Sequence, residues 1–159
     1  AIVHARACAA CHGDIGAVGR LTHFPNRTAP CDTDPVRAEA FDIPLATAVS
    51  RSSPYRGAVE IRQGRGYAAP PLTGLWQSAP YMHNGSVPTL RQFLLLDPRS
   101  KIFRVGGHDL DMAAVGVGAG GRSLRDTTQP GLSNGGHETA FDALSRPDRE
   151  ALLEYLKTL

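Results

Sequence analysis

Cys8-Ala9-Ala10-Cys11-His12 decides the reading of this chain. Two cysteines separated by two residues and followed at once by histidine form the attachment pattern of a c-type haem. On one helical turn both thiols reach the two vinyl groups of a single haem and form thioethers. His12 then lies beneath the iron and supplies the proximal imidazole. A zinc ribbon needs a second cysteine pair, and the one other cysteine is Cys31. A thioredoxin-like site needs a βαβ setting, and the neighbouring sequence lacks strand-like apolar runs. The cofactor read from these residues is one covalent haem c. Cys31, left without a cysteine to pair with, reads as a small buried hydrophobe.

The chain has 159 residues, enough for one domain around a single core and more than a minimal electron-transfer cytochrome requires. Its 17 glycines and 12 prolines predict much loop, wrapped around a haem that supplies the apolar centre. The formal charge is +2 and the basic residues are scattered, which argues against nucleic acid as a partner. No run of about 20 apolar residues offers a membrane span. Covalent haem attachment takes place outside the bacterial cytoplasmic membrane, so a periplasmic location is expected, with the export signal absent from this sequence. Residues 1–159 are read as one cytochrome c domain, alone or as the C-terminal haem domain of a longer chain. An upstream or partner haem domain is part of that expectation.

Helical signals dominate the element pattern, so the expected class is all-α, a cytochrome c-like single-haem domain with long Gly/Pro-rich loops. Helices are expected over Ile2–Cys11, Asp34–Phe41, Ile43–Ser50 and Pro88–Leu96, with a short turn at Leu72–Gln77. In the fourth of these, Leu90, Phe93 and Leu94 share one face. Residues 23–35 read as loop. Residues 105–136 hold so many glycines that a long loop is expected there too. A last helix over Pro147–Thr158 has Ser145 as N-cap and an apolar stripe of Leu152, Tyr155, Leu156 and Leu159, expected to cross the N-terminal helix.

The other face of the haem separates a wire from a catalyst. A second strong ligand closes the iron and leaves electron transfer, whereas an open face admits O₂ or peroxide. The residues by themselves leave several candidates: His4, His23, His83, His108, His137, Met82 and Met112. His4 shares the helix of Cys8 and belongs on the proximal side. Met82 and His83 are adjacent in a polar turn, so at most one of them faces the iron.

Residues 68–96, and above all Ala79-Pro80-Tyr81-Met82-His83-Asn84-Gly85-Ser86-Val87-Pro88-Thr89-Leu90, resemble the haem-domain signature of bacterial di-haem cytochrome c peroxidases. The closer resemblance is to the di-haem rubber oxygenases. It extends to Pro25-Asn26-Arg27, to residues 33–38, to Phe103-Arg104-Val105-Gly106 and to Gly131–Glu138 ahead of the last helix. The peroxidases take a methionine ligand from a region that here reads Gly66-Tyr67-Ala68-Ala69, without methionine, and Tyr67 is a conceivable substitute. The rubber-oxygenase type implies bis-histidine ligation with the distal imidazole from the Gly-His-Glu stretch, which is His137. Around that pair, Trp76 is expected at the haem edge with its indole N–H toward a propionate. Pro25 is expected to offer its carbonyl to the Nδ1–H of His12.

The function expected is periplasmic electron transfer through one six-coordinate, bis-histidine haem c, exchanging electrons with a periplasmic redox enzyme or another cytochrome. The alternative is the haem domain of a peroxidase- or oxygenase-type enzyme acting on peroxide or O₂. That reading needs an open distal face lined by an acid–base group, for which Glu138, His83 and Arg125 are the candidates, and a second haem that this chain lacks.

Overall fold

The computed structural model describes residues 1–15, 32–52, 54, 56–58 and 66–159, with backbone alone at 21–23 and 28–29. The N-terminal helix is two: α1 (Ile2–Ala7) and α2 (Ala9–His12) meet at Cys8, whose backbone leaves the helical region at φ −122° and ψ −39°. The hydrogen bonding runs on through the break. The Cys8 N–H donates to the His4 carbonyl at 2.8 Å, and the Cys8 carbonyl accepts from Cys11 and His12 at 3.1 and 2.9 Å. Gly13, at φ 83°, ends α2 in a conformation that suits only a residue without Cβ.

The chain is not all-α. Among the described residues, eight short strands form four antiparallel pairs. β1 (Asp14–Ile15) pairs with β2 (Leu21–His23), and β3 (Thr28–Ala29) pairs with β4 (Tyr67–Ala68). The stretch expected as one Gly-rich loop is instead a nested hairpin. Its outer pair is β5 (Ile102–Val105) with β8 (Ser123–Asp126), and its inner pair is β6 (Leu110–Asp111) with β7 (Gly116–Val117).

Glycine serves close backbone approach here rather than disorder. A Cβ on Gly116 would lie 2.2 Å from the Pro88 carbonyl oxygen and 2.7 Å from Thr89 Cα. The same contact carries the hydrogen bonds Val117 N–H to Pro88 and Leu90 N–H to Val115, at 3.1 and 2.9 Å. Gly116→Ala must push the hairpin off this segment. The expected cost is about 2–3 kcal/mol, read as a fall in thermal midpoint of roughly 5–10 °C. An unchanged midpoint would show that the contact yields freely.

The remaining helices are α3 (Val36–Glu39), α4 (Ile43–Ser52), α5 (Leu90–Phe93), α6 (Glu138–Phe141) and α7 (Arg146–Leu156), with a 3₁₀ turn at Leu75–Gln77. α5 is shorter than the expected Pro88–Leu96. Leu95 turns left-handed at φ 56°, while the Leu95 and Leu96 N–H groups donate to the Gln92 and Arg91 carbonyls at 3.2 and 2.9 Å, a Schellman closure. α7 carries the full capping box, Ser145 accepting from the Asp148 N–H and Asp148 from the Ser145 N–H. That box contributes on the order of 1 kcal/mol.

The core is built from Leu72, Val87, Leu90, Leu94, Phe141, Leu152, Leu153 and Leu156, with Val3, Ala7 and Cys8 packed against it. α1 lies on α7, and this contact seats the cysteine pair beside the core. His4 is caught in it, 1% exposed, its ring 5.3 Å from that of Tyr155 and neither nitrogen with a hydrogen-bond partner among the described residues. Burial lowers its pKa from the ordinary 6.5. The unfolded chain therefore takes up a proton that the folded chain resists, and stability falls as pH drops below about 6.5. His4→Leu is expected to give a shallower loss of thermal midpoint between pH 7.5 and 5.5 than the parent; equal slopes would contradict this.

Candidate haem site

Cys8 and Cys11 lie one turn apart on either side of the start of α2, both half-buried, and His12 closes that helix. Burial, reinforced by Cys11, pushes the Cys8 thiol up to about 11, so it is a thiol rather than a thiolate at neutral pH. His12 Nδ1 lies 2.7 Å from the Pro70 carbonyl, which fixes it as the protonated nitrogen and leaves Nε2 to ligate. Pro25, expected to supply this carbonyl, lies outside the described residues, as does Cys31.

His137 comes to the same place from the far end of the chain. Its ring centroid is 6.4 Å from that of His12, with 28° between the planes. By contrast, Tyr67 and His83 stack in direct contact at 3.8 Å. An imidazole nitrogen sits about 2 Å from a first-row metal and about 1 Å from its own ring centre, so two imidazoles on opposite sides of one metal hold their centroids roughly 6 Å apart. Among the described residues no cluster of three or more His, Cys, Asp or Glu side chains could hold a bare metal ion. Two neighbouring imidazoles beside a cysteine pair instead fit a metal that brings its own equatorial donors, as porphyrin iron does. His137 Nδ1 and His83 Nε2 are both buried without a partner among the described residues.

Several elements fix His137. Its backbone is left-handed at φ 67°, a costly conformation for a residue with Cβ that persists only where the surroundings impose it. Asp34, buried, accepts from the Ser133 N–H through Oδ2 at 3.0 Å and from the Val36 N–H through Oδ1 at 3.0 Å. Asn84 Nδ2 donates to the Gly131 and Ser133 carbonyls at 3.2 and 2.9 Å. The ring of Phe93 sits 5.1 Å from the imidazole and packs edge-on against Phe141. Burial first, then the neighbouring His12 and Arg99, lower the His137 pKa to about 4, so the imidazole is neutral and its lone pair available.

The other candidates are placed elsewhere. His108 is exposed, and Met112 is 68% exposed on the hairpin. Met82 packs against the core. The Tyr67 hydroxyl donates to the Asp34 carbonyl at 2.8 Å and accepts from the Ala38 N–H at 3.1 Å, so it is engaged away from His12. The His23 side chain lies outside the described residues. Trp76 lines a shallow groove with Leu110, Met112, Val115 and Lys157, and no described ring contact joins it to His12 or His137. Sequence reasoning missed Pro70, Phe93, Asn84 and Arg99. The Asn84-Gly85 turn was a visible signal for one of them, whereas a buried arginine leaves none.

Residues 66–104 match the family model described as RoxA-like, cytochrome c-like. Over this segment the chain thus resembles a cytochrome c-like domain of that class. It is 40% identical over 108 residues to an uncharacterised protein, y4iJ, of Sinorhizobium fredii (strain NBRC 101917 / NGR234), a match covering 58% of this chain and 18% of that relative. A second uncharacterised protein of the same strain, y4iM, is 46% identical over 52 residues, covering 33% of this chain and 12% of its own length. The chain thus spans less than a fifth of each of these relatives.

Proposed function

We propose, with the likeness to the RoxA-like cytochrome c domains as premise, that this domain carries electrons through one haem c held by Cys8 and Cys11 and closed on both faces by His12 and His137. The observation that carries the reading is the 6.4 Å separation of the two imidazole rings, which matches two imidazoles on opposite sides of one metal. Haem c, when bound, supplies one-electron exchange between its ferric and ferrous states. The protein's part is to hold that exchange without rearrangement. Cys8 and Cys11 tether the group, and Pro70 orients His12. Burial keeps His137 neutral, while the ties from Asp34 and Asn84 hold its loop.

Two nitrogen ligands give a lower potential than a histidine–methionine pair. With His12 and His137 both engaged, the domain would exchange electrons with a redox enzyme or another cytochrome in the periplasm. Peroxide or O₂ chemistry would require His137 to leave and an acid–base group to take over that face. Glu138, the nearest in sequence, is already engaged with Arg99 at 2.7 Å and with the Gly136 N–H at 2.7 Å.

The ferric haem-loaded protein tests this reading by electron paramagnetic resonance. Imidazole planes 28° apart predict the rhombic low-spin signal of near-parallel axial ligands. A high-spin signal would overturn it.

A further inference from the structure

We propose that Arg99 is the positioning residue for His137, through a guanidinium fork that fixes the backbone on both sides of the imidazole and places a buried cation beside it. The inference rests on the bis-imidazole reading above.

Arg99 follows Pro98 on the turn that leaves α5, and its side chain is only 8% exposed. A guanidinium has five N–H donors and no acceptor, so burying it requires five partners. Arg99 has them. Nη1 donates to the Asn134 carbonyl and to Glu138 Oε1. Nη2 donates to the Gly136 carbonyl at 3.0 Å and to the Phe93 carbonyl at 3.2 Å, and Nε to the Gln92 carbonyl at 3.4 Å. Three of the five acceptors belong to residues 134, 136 and 138, which bracket His137. The other two belong to α5, which supplies the Phe93 ring 5.1 Å from that imidazole.

One planar group therefore joins the ligand loop to the wall the ligand packs on, and it counters the tendency of His137 to relax from its left-handed backbone. Lysine cannot replace it: a point charge with three donors spans neither the fork nor the five acceptors. The charge has a separate consequence. Arg99 is paired with Glu138, whose side chain is 45% exposed and so solvated on its outer side. The cation next to the iron ligand favours the less positive, reduced state of the haem.

The test uses the haem-loaded, full-length protein, comparing wild type with Arg99→Met and Arg99→Lys. The readouts are ferric spin state, CO binding by the reduced form, and midpoint potential measured after free imidazole has restored the low-spin state. Both variants are expected to lose the pure low-spin spectrum and to bind CO, because both lose the fork. After imidazole is added, Arg99→Met is expected at a lower potential than wild type, and Arg99→Lys at the wild-type value, because only the first has lost the charge. Variants that stay low-spin and inert to CO, with unchanged potential, would overturn the proposal even if they melt earlier. If Arg99→Met does not mature with haem, Arg99→Lys decides alone: CO binding supports the fork, and inertness refutes it. A wild type that is itself high-spin refutes the bis-imidazole reading instead.

Discussion

Replacing His137 with alanine is expected to convert the haem-loaded protein from low-spin to high-spin and to let the reduced form bind CO completely. The change should be large, because among the described residues His83 is held in a stack on Tyr67 at 3.8 Å and the other candidate donors are engaged or exposed. Met82 is packed in the core, the Tyr67 hydroxyl is engaged with Asp34 and Ala38, and His108 and Met112 are exposed. Alanine also retains a Cβ in a left-handed backbone at φ 67°, a strain of roughly 1–2 kcal/mol that wild type already bears. His137→Gly removes the ligand and the strain together. It is expected to give the same spectrum with better stability, which separates loss of ligation from disturbance of the loop. If Met82→Ala produced the spin change and His137→Gly did not, the ligand assignment would be wrong.

The second large effect concerns attachment. Cys8→Ser or Cys11→Ser alone is expected to leave haem bound by one thioether, and the double variant to lose all covalent haem. Denaturing electrophoresis stained for haem reads this directly: a full-strength band from each single variant, none from the double. A band persisting in the double variant would refute the attachment site. The position of Cys8 at the junction of α1 and α2, packed against the α7 core, adds a stability cost.

The legible and illegible parts of this chain divide along physical lines. The one-turn placement of Cys8, Cys11 and His12 was readable because it is local: five consecutive residues set their own spacing. The α7 capping box was readable for the same reason, since Ser145 and Asp148 meet within a turn. The nested hairpin was not. Its strands are two to four residues long, too short for alternation to register, and the outermost pair joins residues about twenty positions apart. Glycines that read as loop in composition are positions where Cβ would strike a backbone, as Gly116 does at Pro88 and Gly121 at Val105. Cooperation among distant residues was equally hidden. Asp34 looked like a helix cap, yet its second oxygen holds Ser133, 99 residues away. The proline carbonyl on His12 comes from Pro70, 58 residues away, through a contact that no local pattern encodes. His137 itself was reached through resemblance, because one histidine in a Gly-rich segment carries no periodic signal of its own.

The most direct test is the absorption spectrum of the reduced, haem-loaded protein recorded with and without CO. Two imidazoles holding the iron from both faces predict the same low-spin spectrum in both, with no CO complex. A shift to a CO-bound spectrum in the wild-type protein would contradict closure by His137, and with it the reading of this domain as an electron carrier.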